Sequence, residues 1–176
     1  GSILALLFSM PAMILISLLI KISSSGPVFY SQQRDGKDGK LFMLYKFRTM
    51  VVDAEKEIGP VLANRNDPRV TKVGKFLRAI RLDELPQLIN VLKGDMSLVG
   101  PRPERPHFVK EHKALHELRL AVKPGLTGLA QIRSFYDLKP QHKIKYDYLY
   151  IQKRSLLLNL YILIRTIPAV FSRKGW

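Results

Sequence analysis

Arg81-Leu82-Asp83-Glu84-Leu85-Pro86-Gln87 is the stretch whose reading decides the rest of this chain. Leu82, Leu85, Ile89 and Leu92 recur at helical spacing, so one face of a helix is apolar. Pro86 is tolerated only in a first turn, which places Asp83 near the N-cap, and Lys93-Gly94 reads as the helix end. A carboxylate at an N-cap sits at the positive end of the helix dipole and accepts backbone N–H bonds. Asp83 is therefore expected to stay ionised. In isolation the pair is a capped amphipathic helix. The arginines around it make it a candidate anion site.

Upstream, Val73 to Ile80 reads as a helix that brings Arg78 and Arg81 toward the pair. Downstream, Asp95 to Val99 reads as extended and leads into Gly100-Pro101-Arg102-Pro103. Pro101 fixes its own φ and Pro103 keeps Arg102 out of the α region, so this guanidinium loses little freedom on gripping a phosphate or carboxylate. Val28 to Arg34 and Leu41 to Met50 flank a Gly- and Asp-rich loop and read as a β-hairpin. Lys46 and Arg48 share a face of its second strand, which is either functional or simply solvated.

Asp53 to Ile58 reads as a short helical or irregular piece, and Asn64 to Pro68 as loop. Glu104 to Val122 reads as a long polar helix. His112 and His116 share a face there, as two zinc ligands do, but no third ligand stands at suitable spacing and a solvated face is favoured. Lys123-Pro124-Gly125-Leu126-Thr127-Gly128 is a loop without the Gly-Lys-Ser/Thr ending of a P-loop, and Leu129 to Arg133 is expected to be a strand. Lys139 to Gln152 is rich in Lys and Tyr. Ser155 to Phe171 is apolar but interrupted by Asn159, Arg165 and Pro168, which suits a helix lying in a membrane interface.

The chain has 176 residues, one domain's worth, and carries 29 Lys and Arg against 14 Asp and Glu, a formal charge of +15. That surplus suits an anionic partner: nucleic acid, a phosphorylated small molecule or an anionic lipid surface. With no cysteine, disulfides and thiolate metal sites are excluded. Ile3 to Ile20 is an apolar run broken only by Ser9, Pro11 and Ser17, close to the roughly 20 residues a membrane helix needs. Lys21 closes it and nearly all basic residues follow, so the body is expected on the cytoplasmic side. Pro11 removes a backbone hydrogen bond in mid-run, and the Ser9 hydroxyl is a candidate partner for the freed carbonyl. A kinked span and a helix–break–helix hairpin are both compatible with that, and a buried core helix is the bland reading. One domain with a membrane foot fits the whole pattern.

Adjacent carboxylates cannot be a glycosidase pair, which must flank a sugar roughly 5 to 9 Å apart. One can serve as nucleophile or metal ligand while the other orients it. Lys46, Arg78, Arg81 and Arg102 would supply cation to a phosphorylated substrate. Mg²⁺ binds through one or two carboxylates plus substrate phosphates, so the set points to phosphoryl transfer.

Leu82-Asp83-Glu84-Leu85-Pro86-Gln87, Asn90 through Ser97 and Val99-Gly100-Pro101-Arg102-Pro103 resemble the bacterial sugar transferases, the monotopic phosphoglycosyl transferases. Gly26-Pro27-Val28-Phe29, Tyr45 through Met50 and Lys123 through Gln131 extend the resemblance nearly end to end. The tail from Asp137 to Ile151 is similar to that of the members that initiate exopolysaccharide and O-antigen synthesis. The resemblance implies an α+β fold: a membrane-embedded re-entrant helix–break–helix over residues 1–22, broken at Ser9 and Pro11, then a compact cytoplasmic catalytic domain over residues 23–176 with a small β-hairpin and amphipathic interfacial helices. It implies transfer of a sugar 1-phosphate from a UDP-sugar to polyprenyl phosphate with release of UMP, at the cytoplasmic face of the bacterial inner membrane. Asp83 would be the covalent nucleophile and a ligand of Mg²⁺, Glu84 its partner, and Lys46, Arg78, Arg102 and Arg133 would contact substrate phosphate or nucleotide.

Two departures stand out. Met10 rather than Ser precedes Pro11, and the family's basic lead-in is missing, so the chain is expected to be a catalytic piece of a larger member. The alternatives are a non-catalytic basic scaffold of a polysaccharide assembly system and a tethered nucleic-acid module; the latter lacks any recognition signature. A homodimer is compatible with the pattern, and no residue names the sugar.

Overall fold

A computed structural model of the chain describes residues 1–56, 67–111, 118–133 and 140–171. Helix α1 (Ser2–Ser23) is followed by an antiparallel hairpin of β1 (Phe29–Asp35) and β2 (Leu41–Phe47), registered Phe29 to Phe47 through Asp35 to Leu41. Next come α2 (Lys72–Ala79), a 3₁₀ turn (Leu82–Glu84) and α3 (Gln87–Lys93). A second sheet pairs β3 (Ser97–Val99) with β4 (Gly125–Thr127) in parallel. Between these lie α4 (Pro106–Glu111) and a 3₁₀ turn (Leu118–Ala121), and the chain continues as α5 (Leu129–Arg133), α6 (Pro140–Lys153) and α7 (Leu156–Phe171). The fold is α+β: helices with two small sheets and one apolar N-terminal helix.

Small apolar cores hold it, two of them next to the elements that matter here. Ile16 and Ile20 of α1 pack with Phe47 of β2 and Leu77 of α2, and Leu82 and Leu85 close that cluster. Val99, Leu129, Tyr150 and Ile162 join β3 to α5, α6 and α7. Burying an aliphatic or aromatic side chain of this size stabilises by about 1.5–3 kcal/mol, so the first cluster seats α1 on the hairpin and fixes the Asp83 turn beside it. Most of α1 stays uncovered: Phe8 is 86% exposed, and Leu4, Leu7, Ile14 and Leu15 are exposed with it.

Several expectations change. Helix α1 has helical backbone on both sides of Pro11, and the Ser9 hydroxyl donates to the carbonyl of Leu6 at 3.0 Å, not to the Leu7 carbonyl that Pro11 leaves free. The α-helix begins at Gln87, with Pro86 as its cap, because the Asp83 segment forms a tighter 3₁₀ turn entered through Arg81 in the left-handed region (φ 55°). Of the expected long polar helix, the described residues show a helix over Pro106–Glu111 and a 3₁₀ turn at Leu118–Ala121, while His112 and His116 lie outside the described residues. Leu129 to Arg133 is a helix, and the strand is the preceding Gly125–Thr127. The reason is close packing. A Cβ on Gly125 would lie 2.0 Å from the Gly100 nitrogen, so these backbones can touch only where both residues lack side chains.

Candidate active site

Asp83 and Glu84 sit side by side in the 3₁₀ turn and are both buried, at 7% and 8% exposure. Their surroundings differ. Lys46, next to Phe47 on β2 and so facing the other way, donates to Glu84 Oε1 at 3.1 Å. Arg102 grips the same carboxylate with two nitrogens, Nη2 to Oε1 at 2.5 Å and Nη1 to Oε2 at 3.3 Å. A forked, charge-assisted grip of this kind is among the stronger hydrogen-bonding arrangements.

The ionisation of the pair splits accordingly. Burial opposes the charge on Glu84, but Arg102 and Lys46 outweigh it and hold this carboxyl well below the usual carboxylate range. Burial pushes Asp83 up to about 6; Lys46 pulls it down and the neighbouring Glu84 charge pushes it up. Asp83 is thus not the permanently ionised cap expected from the helix start, and no side-chain cap bond is formed at either helical turn. Two carboxyls driven apart in this way are suited to different work: Glu84 is held as a fixed anion among its cations, while burial dominates at Asp83.

Asp83 faces a cleft of ≈ 540 Å³ whose wall includes Lys46, Arg78, Arg81, Thr49 and Arg48. Arg78 is steered by Thr49, whose hydroxyl accepts from its Nε at 2.8 Å. Arg48 is occupied with structure: its Nη2 donates to the Ser24 carbonyl at 3.0 Å and hydroxyl at 2.8 Å, tying down the end of α1. Arg102 is held from below. The Pro101 carbonyl accepts from the Gly125 N–H at 2.8 Å, and Arg119 Nη2 donates to the Arg102 carbonyl at 2.8 Å. Arg119 is itself fixed by a buried ion pair to Asp147 at 2.6 Å. The Lys123–Gly128 loop therefore props the arginine between its prolines.

Of the residues singled out from sequence, Lys46, Arg78 and Arg102 are gathered around the dyad. Arg133 lies exposed at the end of α5 and outside the cleft lining. Asn90 was missed. Fully buried, it accepts from the Tyr45 N–H at 3.1 Å and donates to the Met43 carbonyl at 2.7 Å, so α3 pairs with the free edge of β2 through one side chain. A lone Asn between Ile89 and Val91 was the available signal, because a polar residue amid an apolar helical run needs buried partners.

Bacterial sugar transferase is the description of the family whose model matches residues 1–173. The chain is 44% identical to the UDP-glucose:undecaprenyl-phosphate glucose-1-phosphate transferase of Klebsiella pneumoniae, over 99% of this chain and 39% of that protein. It is 40% identical to the exopolysaccharide production protein ExoY of Rhizobium meliloti (strain 1021), over 99% of this chain and 83% of that one. A putative undecaprenyl-phosphate N-acetylgalactosaminyl 1-phosphate transferase of Bacillus subtilis (strain 168) is 53% identical over 77% of this chain and 73% of its own length. The chain spans about two fifths of the length of several curated relatives it matches.

Proposed function

This chain belongs to the bacterial sugar transferase family, and we propose that it moves a sugar 1-phosphate from a UDP-sugar to undecaprenyl or another polyprenyl phosphate, releasing UMP. The observation that carries the reading is the division within the buried dyad: Glu84 is neutralised by Lys46 and Arg102, while Asp83 faces the cationic cleft.

The reaction runs in two displacements. An Asp83 carboxylate oxygen bonds to the sugar-linked phosphorus as the bond from that phosphorus to the bridging oxygen breaks, and UMP leaves with that oxygen. An oxygen of the lipid phosphate then attacks the same phosphorus and breaks its bond to Asp83, which restores the carboxylate. Lys46, Arg78 and Arg81 sit where charge builds on the phosphoryl oxygens, and positioning and charge neutralisation supply most of the catalysis in such transfers. Asp83 attacks only when ionised, so turnover should fall as pH drops through about 6.

The donor set fits Mg²⁺. Glu84 is engaged by two cations, whereas Asp83 presents a hard oxygen to the cleft, and such an ion takes one or two carboxylates with substrate phosphates and waters. Asp83 would hold it, and the ion would neutralise diphosphate charge.

Helix α1 supports the membrane side of the reading. Both its ends rest on one body: Ile16 and Ile20 lie in the first core, and a Cβ on Gly1 would lie 3.7 Å from Leu98. A 22-residue helix is about 33 Å long, so a straight span would carry one end to the far side of the bilayer. Re-entry into one leaflet keeps both ends together. Leu156, Leu157, Ile164 and Ile167 leave α7 an exposed apolar face for the same interface. The catalytic body then lies on the cytoplasmic face of the inner membrane, where a soluble and a lipid-anchored substrate can meet.

The test is UMP release from UDP-sugars in the presence of polyprenyl phosphate. Asp83→Asn should abolish it, and mass spectrometry of wild-type protein quenched without acceptor should find phosphosugar on the Asp83 peptide. An adduct on another residue, or unchanged turnover in Asp83→Asn, overturns the assignment.

A further inference from the structure

Among the cleft side chains that the phosphoryl transfer does not use are Tyr30, Arg34, Glu55 and Arg105. Tyr30 stands opposite Lys46 in the hairpin, which marks the reactive end. Arg34 is on the same face of β1 as Tyr30 and four residues further, roughly 13 Å along the strand. The long side chains close that gap: the Tyr30 hydroxyl lies within electrostatic reach of Glu55, Arg105 and Arg34. Arg34 also lies at the end of β1 farther from the core that seats α1, where a water-soluble group has access.

The groups at this end have a definite polarity. Arg105 donates from Nη2 to Glu55 Oε1 at 2.8 Å, and its buried Nη1 has no partner among the described residues. Arg34 donates from Nη2 to Gln32 Oε1 at 2.8 Å, and its buried Nε likewise has none. Buried donors without partners are costly unless a ligand satisfies them. A site for phosphate alone would have no use for Glu55, whose charge repels an anion. A pyrimidine ring with a ring N–H between two carbonyls uses all three: each carbonyl accepts from an arginine, and the N–H donates to Glu55. The Tyr30 ring offers a face on which a base can stack.

We propose that Tyr30, Arg34, Glu55 and Arg105 form a pocket that reads the uracil ring of the donor nucleotide. The proposal rests on the UDP-sugar reading above and adds how the base is selected. Cytosine presents an acceptor where Glu55 needs a donor, so the pocket rejects it.

Titrating the full chain in detergent micelles with UMP, CMP and ribose 5-phosphate tests this. UMP should bind about 10-fold or more tightly than CMP, as expected for one mismatched buried hydrogen bond. Glu55→Gln supplies an amide that can donate to the cytosine ring nitrogen, and should narrow that gap to about 3-fold or less with ribose 5-phosphate affinity unchanged. Arg105→Lys keeps the charge but loses the second donor, and should weaken UMP while sparing ribose 5-phosphate. Thermal unfolding of both variants verifies that they are folded. An unchanged UMP/CMP gap in folded Glu55→Gln overturns the pocket, as does parallel loss of UMP and ribose 5-phosphate binding in Arg105→Lys. Wild-type protein that binds UMP and CMP alike refutes only the base pocket; failure to bind any uridine nucleotide refutes the UDP-sugar reading as well.

Discussion

Asp83 and Glu84 are chain neighbours with nearly equal burial, and they differ because Lys46 and Arg102 reach only one of them directly. The consequence for stability has opposite signs. The raised carboxyl of Asp83 favours the folded state at low pH, and that contribution is lost as pH rises through about 6. Asp83→Asn should therefore unfold at a higher temperature than wild type at pH 8 while being inactive, with the gap shrinking toward pH 4. The depressed carboxyl of Glu84 contributes above its ordinary value of 4.5 and loses that contribution as pH falls further. Arg102→Lys keeps the charge but gives up the forked grip on Glu84, and should cost about 1–3 kcal/mol in chemical denaturation.

At the scale of elements, α2 and α3 are clamps on β2 and the segment after it. Helix α2 crosses that segment at Gly74, where a Cβ would lie 2.0 Å from the Thr49 carbonyl oxygen. Gly74→Ala must push the helix off Thr49, which steers Arg78, so it should cost about 1–3 kcal/mol and lower turnover further than the stability loss explains. Replacing Asn90 by Leu leaves the Tyr45 N–H and the Met43 carbonyl without their partner, at about 1–3 kcal/mol for each group left buried and unpaired. Denaturation midpoints of both variants check this. The hairpin, α2 and the Gly94 stop were legible because each has a strong local pattern. Leu129–Arg133 was misread because five residues carry too little periodicity to separate helix from strand. The parallel pairing of β3 with β4 depends on glycine contacts between segments about 25 residues apart in sequence, which no local window contains.

For the whole molecule, the exposed apolar face of α1 and the +15 charge are what the proposed membrane seating calls on: a basic body for an anionic surface and an apolar foot for the lipid. The absence of cysteine makes the arrangement testable without background labelling. In membrane vesicles, Ser2→Cys and Ser24→Cys should both react with an impermeant maleimide from the cytoplasmic side. Reaction of the two from opposite sides would replace re-entry with a span. The sequence by itself determined the apolar foot, the hairpin, the Asp-Glu turn and the arginine between prolines, because each is written in adjacent residues and local backbone rules act on them directly. Only the tertiary structure decided which carboxylate is gripped by cations and which is not. That depends on Lys46, 38 positions before Glu84 in the chain, and Arg102, 18 after it, and on burial that exists only once the hairpin, the turn and the Pro101–Pro103 segment have come together.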